Sequence, residues 1–143
     1  MPALTHNEAV DLFHANRNKA DLLGWLAALL HRCVYLMSLD DLLCDIRSRQ
    51  RRDAGIQFVP IKQIVASVDR QSDFTRSFLP RAGANAGRWI HLYEALQSPE
   101  GFPEVELLRV GDHYAVVDGH HRISVAHAAG LQEIAAHVVD VVN

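Results

Sequence analysis

The stretch that most constrains this 143-residue chain is Asp118-Gly119-His120-His121-Arg122. An apolar run, Tyr114-Ala115-Val116-Val117, precedes it and reads as a buried strand. Ile123-Ser124-Val125-Ala126-His127-Ala128-Ala129 follows and reads as a short helix closed by Gly130. The five residues therefore form a strand-to-helix turn. Gly119 has no Cβ, so the chain can bend sharply there and a ligand can approach the backbone. A helix start leaves amide N–H groups without partners at the positive end of the helix dipole. Arg122 adds a planar guanidinium that matches phosphate oxygens. His120 and His121 stand beside it. Together these make the turn a candidate anion site, with phosphate the best-suited anion.

Plainer roles stay open for the same residues. Arg122 either meets a phosphate or pairs with a carboxylate such as Asp118, and in the second case its loss lowers stability alone. Asp118 either holds a metal, orients the turn or caps the helix. His120 or His121 would exchange a proton near neutral pH. His127, seven residues beyond His120, either shares its helix face or is plain surface. No metal site is expected, because side chains at a helix start diverge and neither H-x-x-x-H nor C-x-x-C occurs.

The length and a hydrophobic content of 49% suit one globular domain with a helical annex. No secretion signal is read at the N-terminus, and the run Leu22–Leu30 is too short to span a bilayer before His31-Arg32 interrupts it. A cytoplasmic, membrane-free protein is expected. Cys33 and Cys44 then read as small apolar residues of helices rather than a disulfide.

Charge is uneven within a net −3. Residues 45–88 carry nine basic and four acidic side chains, whereas residues 89–143 carry two and eight. A basic middle suits phosphate, whether of a nucleotide or of nucleic acid, but it equally describes a solvated surface with ion pairs.

Three helices are expected first. Thr5 and Glu8 fit a capping box. Asn16–Asn18 marks a break, and Leu22, Leu23, Trp25, Leu26, Leu29 and Leu30 form a broad face wide enough to be buried. Ser38 caps the third helix, with Leu39, Leu42, Leu43 and Ile46 inward and Arg47, Arg49, Arg51 and Arg52 in its last turns. Gly55 stops it. A strand and turn follow over Gln57–Val65, with Pro60 either on an edge strand or at the strand's start. Phe74 and Phe78 form a helical pair ended by Pro80. Arg88–Leu96 is an amphipathic helix in which Trp89 either packs in the core or stacks on a base. Strands Val105–Val110 and Tyr114–Val117 form a hairpin through Gly111-Asp112, and Ile134–Val142 is a last strand.

The segment Tyr114–Gly130, YAVVDGHHRISVAHAAG, resembles the signature of the superfamily that unites the ParB partition-protein N-terminal domain with sulfiredoxin. Partition proteins carry a G-E-R-R type of turn, sulfiredoxins G-C-H-R, and the related free serine kinases D-G-H-H-R, the form present here. The resemblance runs from about Val59 to about Val139. It takes in Val59-Pro60-Ile61-Lys62-Gln63-Ile64 and the following Ser67–Arg70, which are similar to the superfamily's first conserved box. It implies an α+β fold with a small mixed β-sheet, taken as residues 55–143, and the helices expected over residues 1–54 form an N-terminal extension outside the resemblance. It also implies a nucleotide whose phosphates are wrapped by Gly119, His120, His121 and Arg122. Arg70 is carried over as a ligand residue, or else is an ordinary loop arginine. Phosphoryl transfer or nucleotide hydrolysis would use Mg with a nucleoside phosphate.

Departures narrow this. His120 stands where sulfiredoxin needs cysteine, so sulfinic-acid reduction is not expected. His120 and His121 replace the Glu and Arg of partition proteins, and a chain ending at Asn143 is not expected to carry their helix-turn-helix. No carboxylate can be assigned as a kinase base. A DNA-associated module or ParB-like nuclease is the alternative. The basic middle favours it and the net charge opposes it. A non-catalytic regulatory partner on the same fold is a third class. The N-terminal helices either cover the sheet or form a homodimer surface.

If both cysteines are reduced, thiol titration of the unfolded, unreduced protein yields two free thiols per chain. Finding none would show an oxidised pair.

Overall fold

The computed structural model describes residues 2–29, 36–43, 50–70, 72–99, 101 and 103–142, with side chains from residue 6 onward. Its elements are helix α1 (Pro2–Leu29), strand β1 (Met37–Ser38), the single turn α2 (Leu39–Leu42) and strand β2 (Gln50–Pro60). After a 3₁₀ turn over Ile61–Gln63 come β3 (Ile64–Ser67), α3 (Ala86–Leu96), β4 (Val105–Val110), β5 (His113–Asp118), α4 (His120–Ala128) and β6 (Glu133–Val142). The strands form one sheet in the order β1-β3-β5-β4-β6-β2. β1, β3 and β5 run parallel, as do β4 and β6, while β4–β5 and β2–β6 are antiparallel. The fold class is therefore α+β with a mixed sheet.

Period-two alternation decides the faces of the sheet. Val105 and Leu107 of β4, Tyr114 and Val116 of β5, and Ile134, Ala136 and Val138 of β6 join the larger core. Leu108, Val110, Ala115 and Val141 point to the other face, where they meet Leu43 and half-buried Met37, Leu39 and Leu42. Helix α4 closes the first face with Ile123 and Ala126. Its Val125 turns the other way, into a layer with Ala9 and Phe13 of α1 and Trp89 and Tyr93 of α3. Trp89 is fully buried against Phe13 and Tyr93, so it is core and not a base platform.

The hairpin, the helix over 88–96 and the last strand lie where the sequence placed them; the N-terminal part does not. The first expected break is missing, because α1 runs unbroken. Asn16 lies on its buried side, and its amide donates to the Leu12 carbonyl one turn back (2.8 Å), so it supports the helix. The helix begins at Pro2, so Thr5 is inside it and cannot cap it. Ala9, Phe13 and Ala20 form its inward stripe. Leu22, Trp25, Leu26 and Leu29, expected to be buried, are exposed, Trp25 by 61%.

Ser38 does cap a helix, accepting the Asp41 N–H at 3.1 Å. That helix is one turn, and the chain is a strand again by Gln50, so Arg51 and Arg52 lie on β2 and not on a helix. Pairing with β6, from Gln50 opposite Val142 to Pro60 opposite Glu133, overrides their helical preference. Gly55 stops nothing: at φ 75° it forms a bulge between Asp53 and Ile56, and its N–H donates to Asp53 Oδ1 at 2.7 Å. β2 runs through residues 54 and 55, where the chain was divided by sequence. Cys33, Cys44, Ile46, Arg47 and Arg49 lie outside the described residues. The expected helical pair Phe74 and Phe78 is buried with ring centres 6.2 Å apart, but on a loop. There Phe78 takes φ 63° and Phe74 bridges Pro80. Among the described residues no helix is long and apolar enough to cross a membrane.

His137 joins three strands. Its Nδ1 bonds Glu106 of β4 (2.7 Å) and its Nε2 lies 3.0 Å from Asp53 of β2. Hydrogen bonds to Asp53 and then Glu106 raise its pKa from 6.5. A raised imidazole pKa adds stability that is full below the unfolded value and lost as pH rises through the folded one. Between about pH 6 and about pH 8 the wild-type melting temperature should therefore fall more than that of His137→Gln. Equal slopes would contradict this.

Candidate functional site

β3 and β5 are parallel neighbours, and both end at the same edge of the sheet. Ser67 pairs with Val116, and Val68 N–H donates to the Val116 carbonyl at 3.0 Å. The loop after β3 carries Asp69 and Arg70, and the turn after β5 carries Asp118–Arg122. A crevice at the carboxyl ends of parallel strands is where open α/β sheets bind ligands. Here it is a cavity of about 140 Å³, lined by both segments and by Arg88 and Leu92 of α3.

Gly119 occupies φ 109°, ψ 24° and starts α4 with no side-chain cap. A Cβ there would sit 2.5 Å from Val105 Cγ1, and the Arg122 guanidinium carbon lies 3.4 Å from the same point. Glycine is thus required by close packing as well as by the turn. The Ile123 N–H bonds the Gly119 carbonyl (3.0 Å), which leaves the amides of His120, His121 and Arg122 as the donors of the uncapped first turn.

The Arg122 guanidinium faces the protein. It donates to the carbonyls of Pro103 (3.1 Å) and Glu104 (2.8 Å) and to Asp118 Oδ2 (3.0 Å), and its side chain is 13% exposed. Of the two roles open in the sequence, the geometry has the carboxylate pair. Asp118 pairs with Arg122 and does not cap α4.

The imidazoles are buried too. His120 Nε2 lies 2.6 Å from Ser67 Oγ, and its ring stacks on Phe74. His121 Nε2 accepts the Asn85 N–H at 3.0 Å, and its ring meets Phe74 edge-on. Asn85 in turn caps α3, its Oδ1 accepting the Arg88 N–H at 2.9 Å. Burial pushes the pKa of His120 down to about 4 against the pull of Asp69. His121 is also lowered to about 4 by burial, with Arg88 and Arg70 adding repulsion. Burial thus favours the neutral form of both rings near pH 7, and His121 Nε2 serves as an acceptor. His127 is at the far end of α4, in a groove with Leu23 and Phe78, and does not line the site.

The accessible cations are Arg70 and Arg88. Arg70 is 47% exposed, and its ion pair with Asp73 is long at 3.9 Å. Arg88 is exposed and has no ion pair among the described residues. Sequence reasoning missed Arg88 as a site residue. One signal was readable: an arginine in the first turn of a helix opposes the dipole, a poor local choice unless an anion lies nearby. Asp69 and Asp118 add two carboxylates at the cavity, and the described residues hold no group of three or more His, Cys, Asp or Glu able to bind a metal.

No family model and no curated protein matches the chain. Among solved structures it is similar to sulfiredoxin from Arabidopsis thaliana, with a TM-score of 0.45 and 16% identity over 58% of this chain and 82% of that one. The similarity concerns the fold alone.

Two outcomes are expected. A group kept neutral in the fold but protonated when unfolded loses stability as pH falls from its unfolded pKa. The melting temperature should thus decline from about pH 6.5 toward about pH 4. His120→Gln, which keeps an acceptor without the charge, should decline less. Gly119→Ala should cost about 1–3 kcal/mol from strain and overpacking, and adding Val105→Ala should restore part of it. Thermal melts of the single and double variants decide this.

Proposed function

We propose that the cavity between β3, β5 and α3 binds the phosphate of a nucleotide or of another phosphorylated ligand. One observation carries the reading: Arg70 and Arg88, from two separate segments, line the same small cavity as the uncapped start of α4. Dipole, amides and guanidinium groups then act on one anion, and the shared charge of the arginines is unfavourable until an anion arrives. The role of Arg122 is to hold the turn from below. His120 and His121 fix its two flanks, to the loop after β3 and to the start of α3.

The cavity is too small for a whole nucleotide, so the phosphate end enters and the remainder lies outside. Mg fits the donor set in one respect. It is commonly held by one or two carboxylates together with phosphate oxygens, and Asp69 and Asp118 would be those carboxylates. It would supply charge neutralisation for phosphoryl transfer or hydrolysis. The chain's own residues position the phosphate and balance its charge, which is the larger share of such catalysis.

The test is titration calorimetry with inorganic phosphate, pyrophosphate and nucleoside phosphates, with and without Mg. Arg70→Ala and Arg88→Ala should each weaken binding about ten- to a hundredfold, the effect of losing a charge-assisted contact of roughly 1.5–3 kcal/mol. Arg122→Ala should instead lower the melting temperature. Folded Arg70→Ala and Arg88→Ala variants that bind as well as wild type would overturn the reading. A steep salt dependence, with oligonucleotides outcompeting phosphate, would favour the nucleic-acid alternative.

A further inference from the structure

We infer that Ser67 is a positioning residue of this site: its hydroxyl, oriented by His120, shapes the Asp69–Arg70 loop so that Arg70 is presented to the ligand across from the α4 turn. The inference rests on the phosphate reading and goes beyond it to the side chain that assembles the site.

Ser67 is the last residue of β3 and is fully buried. Its Oγ accepts the N–H of Arg70 at 2.8 Å and of Asp69 at 3.3 Å. A hydroxyl has one proton and two lone pairs. With both lone pairs facing amides, its proton is left for the third neighbour, His120 Nε2 at 2.6 Å. That nitrogen must then be the unprotonated one, which agrees with a buried neutral ring. Ser67 uses its whole hydrogen-bonding capacity, two bonds on the following loop and one on α4. Two bonds curl the loop back on the strand end, the local turn that Ser favours. The third reaches 53 residues along the chain to the first residue of α4.

Neither neighbour can easily drift. His120 is 4% exposed and stacked on Phe74, itself fully buried. The backbone beside Ser67 is bonded to β5 through Val68 N–H. The Arg70 side chain is half exposed and, among the described residues, its ion pair is a long one to Asp73. Its backbone, set by Ser67, is therefore what limits where its guanidinium can go. An alanine at 67 would leave two amides and an imidazole nitrogen without a partner, and the cost would fall on the loop that carries Arg70.

The experiment is a double-mutant cycle read by pyrophosphate affinity, with melting temperatures recorded to confirm folding. Ser67→Ala should weaken pyrophosphate binding about two- to tenfold at temperatures well below melting. In an Arg70→Ala background the same change should have no further effect. Ser67→Thr, which keeps the hydroxyl, should bind like wild type. If Ser67→Ala does not fold, Ser67→Cys enters the same cycle as a near-isosteric group with weak hydrogen bonding. An unaltered affinity in the position-67 variant overturns the inference, as does a loss of equal size with and without Arg70, because the effect would then pass through the fold at large. Wild-type protein that fails to bind pyrophosphate, or that Arg70→Ala leaves unaffected, overturns the phosphate reading and this inference with it.

Discussion

Burial of α4 on both sides is the constraint on which the remainder of the molecule depends. Ile123 and Ala126 press on the sheet, and Val125 presses on α1 and α3. Ser124, also buried, accepts the Trp89 indole N–H and donates to the Phe78 carbonyl, so the helix anchors both α3 and the loop before it. A helix fixed in this way cannot tilt or slide without opening two cores at once. Its first turn is therefore held rigidly over the strand ends, and the direction of its free amides is set by packing far from them.

The polar groups of the turn follow from that rigidity. Arg122 ties the turn to the carbonyls before β4, His120 to the end of β3 and His121 to the start of α3. Each of these side chains was attractive as a ligand group by its chemistry. Each is instead spent on the protein, which is how a short turn can stay ordered around a cavity. The groups at the cavity without such a commitment are the backbone amides of the turn and two arginines from other segments. Such a division is physically sensible, since a side chain that holds the frame cannot also follow a ligand.

Much of the second half was legible. The hairpin, the strand-turn-helix and the last strand each combine an apolar period with a glycine or turn at the right spacing, and local rules suffice there. The failures have identifiable causes. Asn16 looked like a break because its side chain competes with the backbone, and it supports the helix because the bond runs to the preceding turn. Arg51 and Arg52 looked helical, and the free edge of β6 drew them into a strand. Phe74 and Phe78 sit four residues apart and are both buried, yet a left-handed residue and a bridge replace the helix that this spacing suggests.

By itself the sequence determined that a glycine turn joins a buried strand to a short helix, with an arginine and two histidines at the helix start. Those properties depend on neighbours within a few residues, where steric limits and the helix dipole act. Only the tertiary structure decided which arginines line the cavity and which of them is committed to protein partners. Arg122 lines it but is bonded to backbone carbonyls and Asp118, whereas Arg88, 34 positions earlier, lines it with no ion pair among the described residues. The physical reason is that side-chain direction at a crowded site follows from which partners packing brings within hydrogen-bond reach, and those partners (Pro103, Glu104, Ser67, Asn85) are remote in the chain.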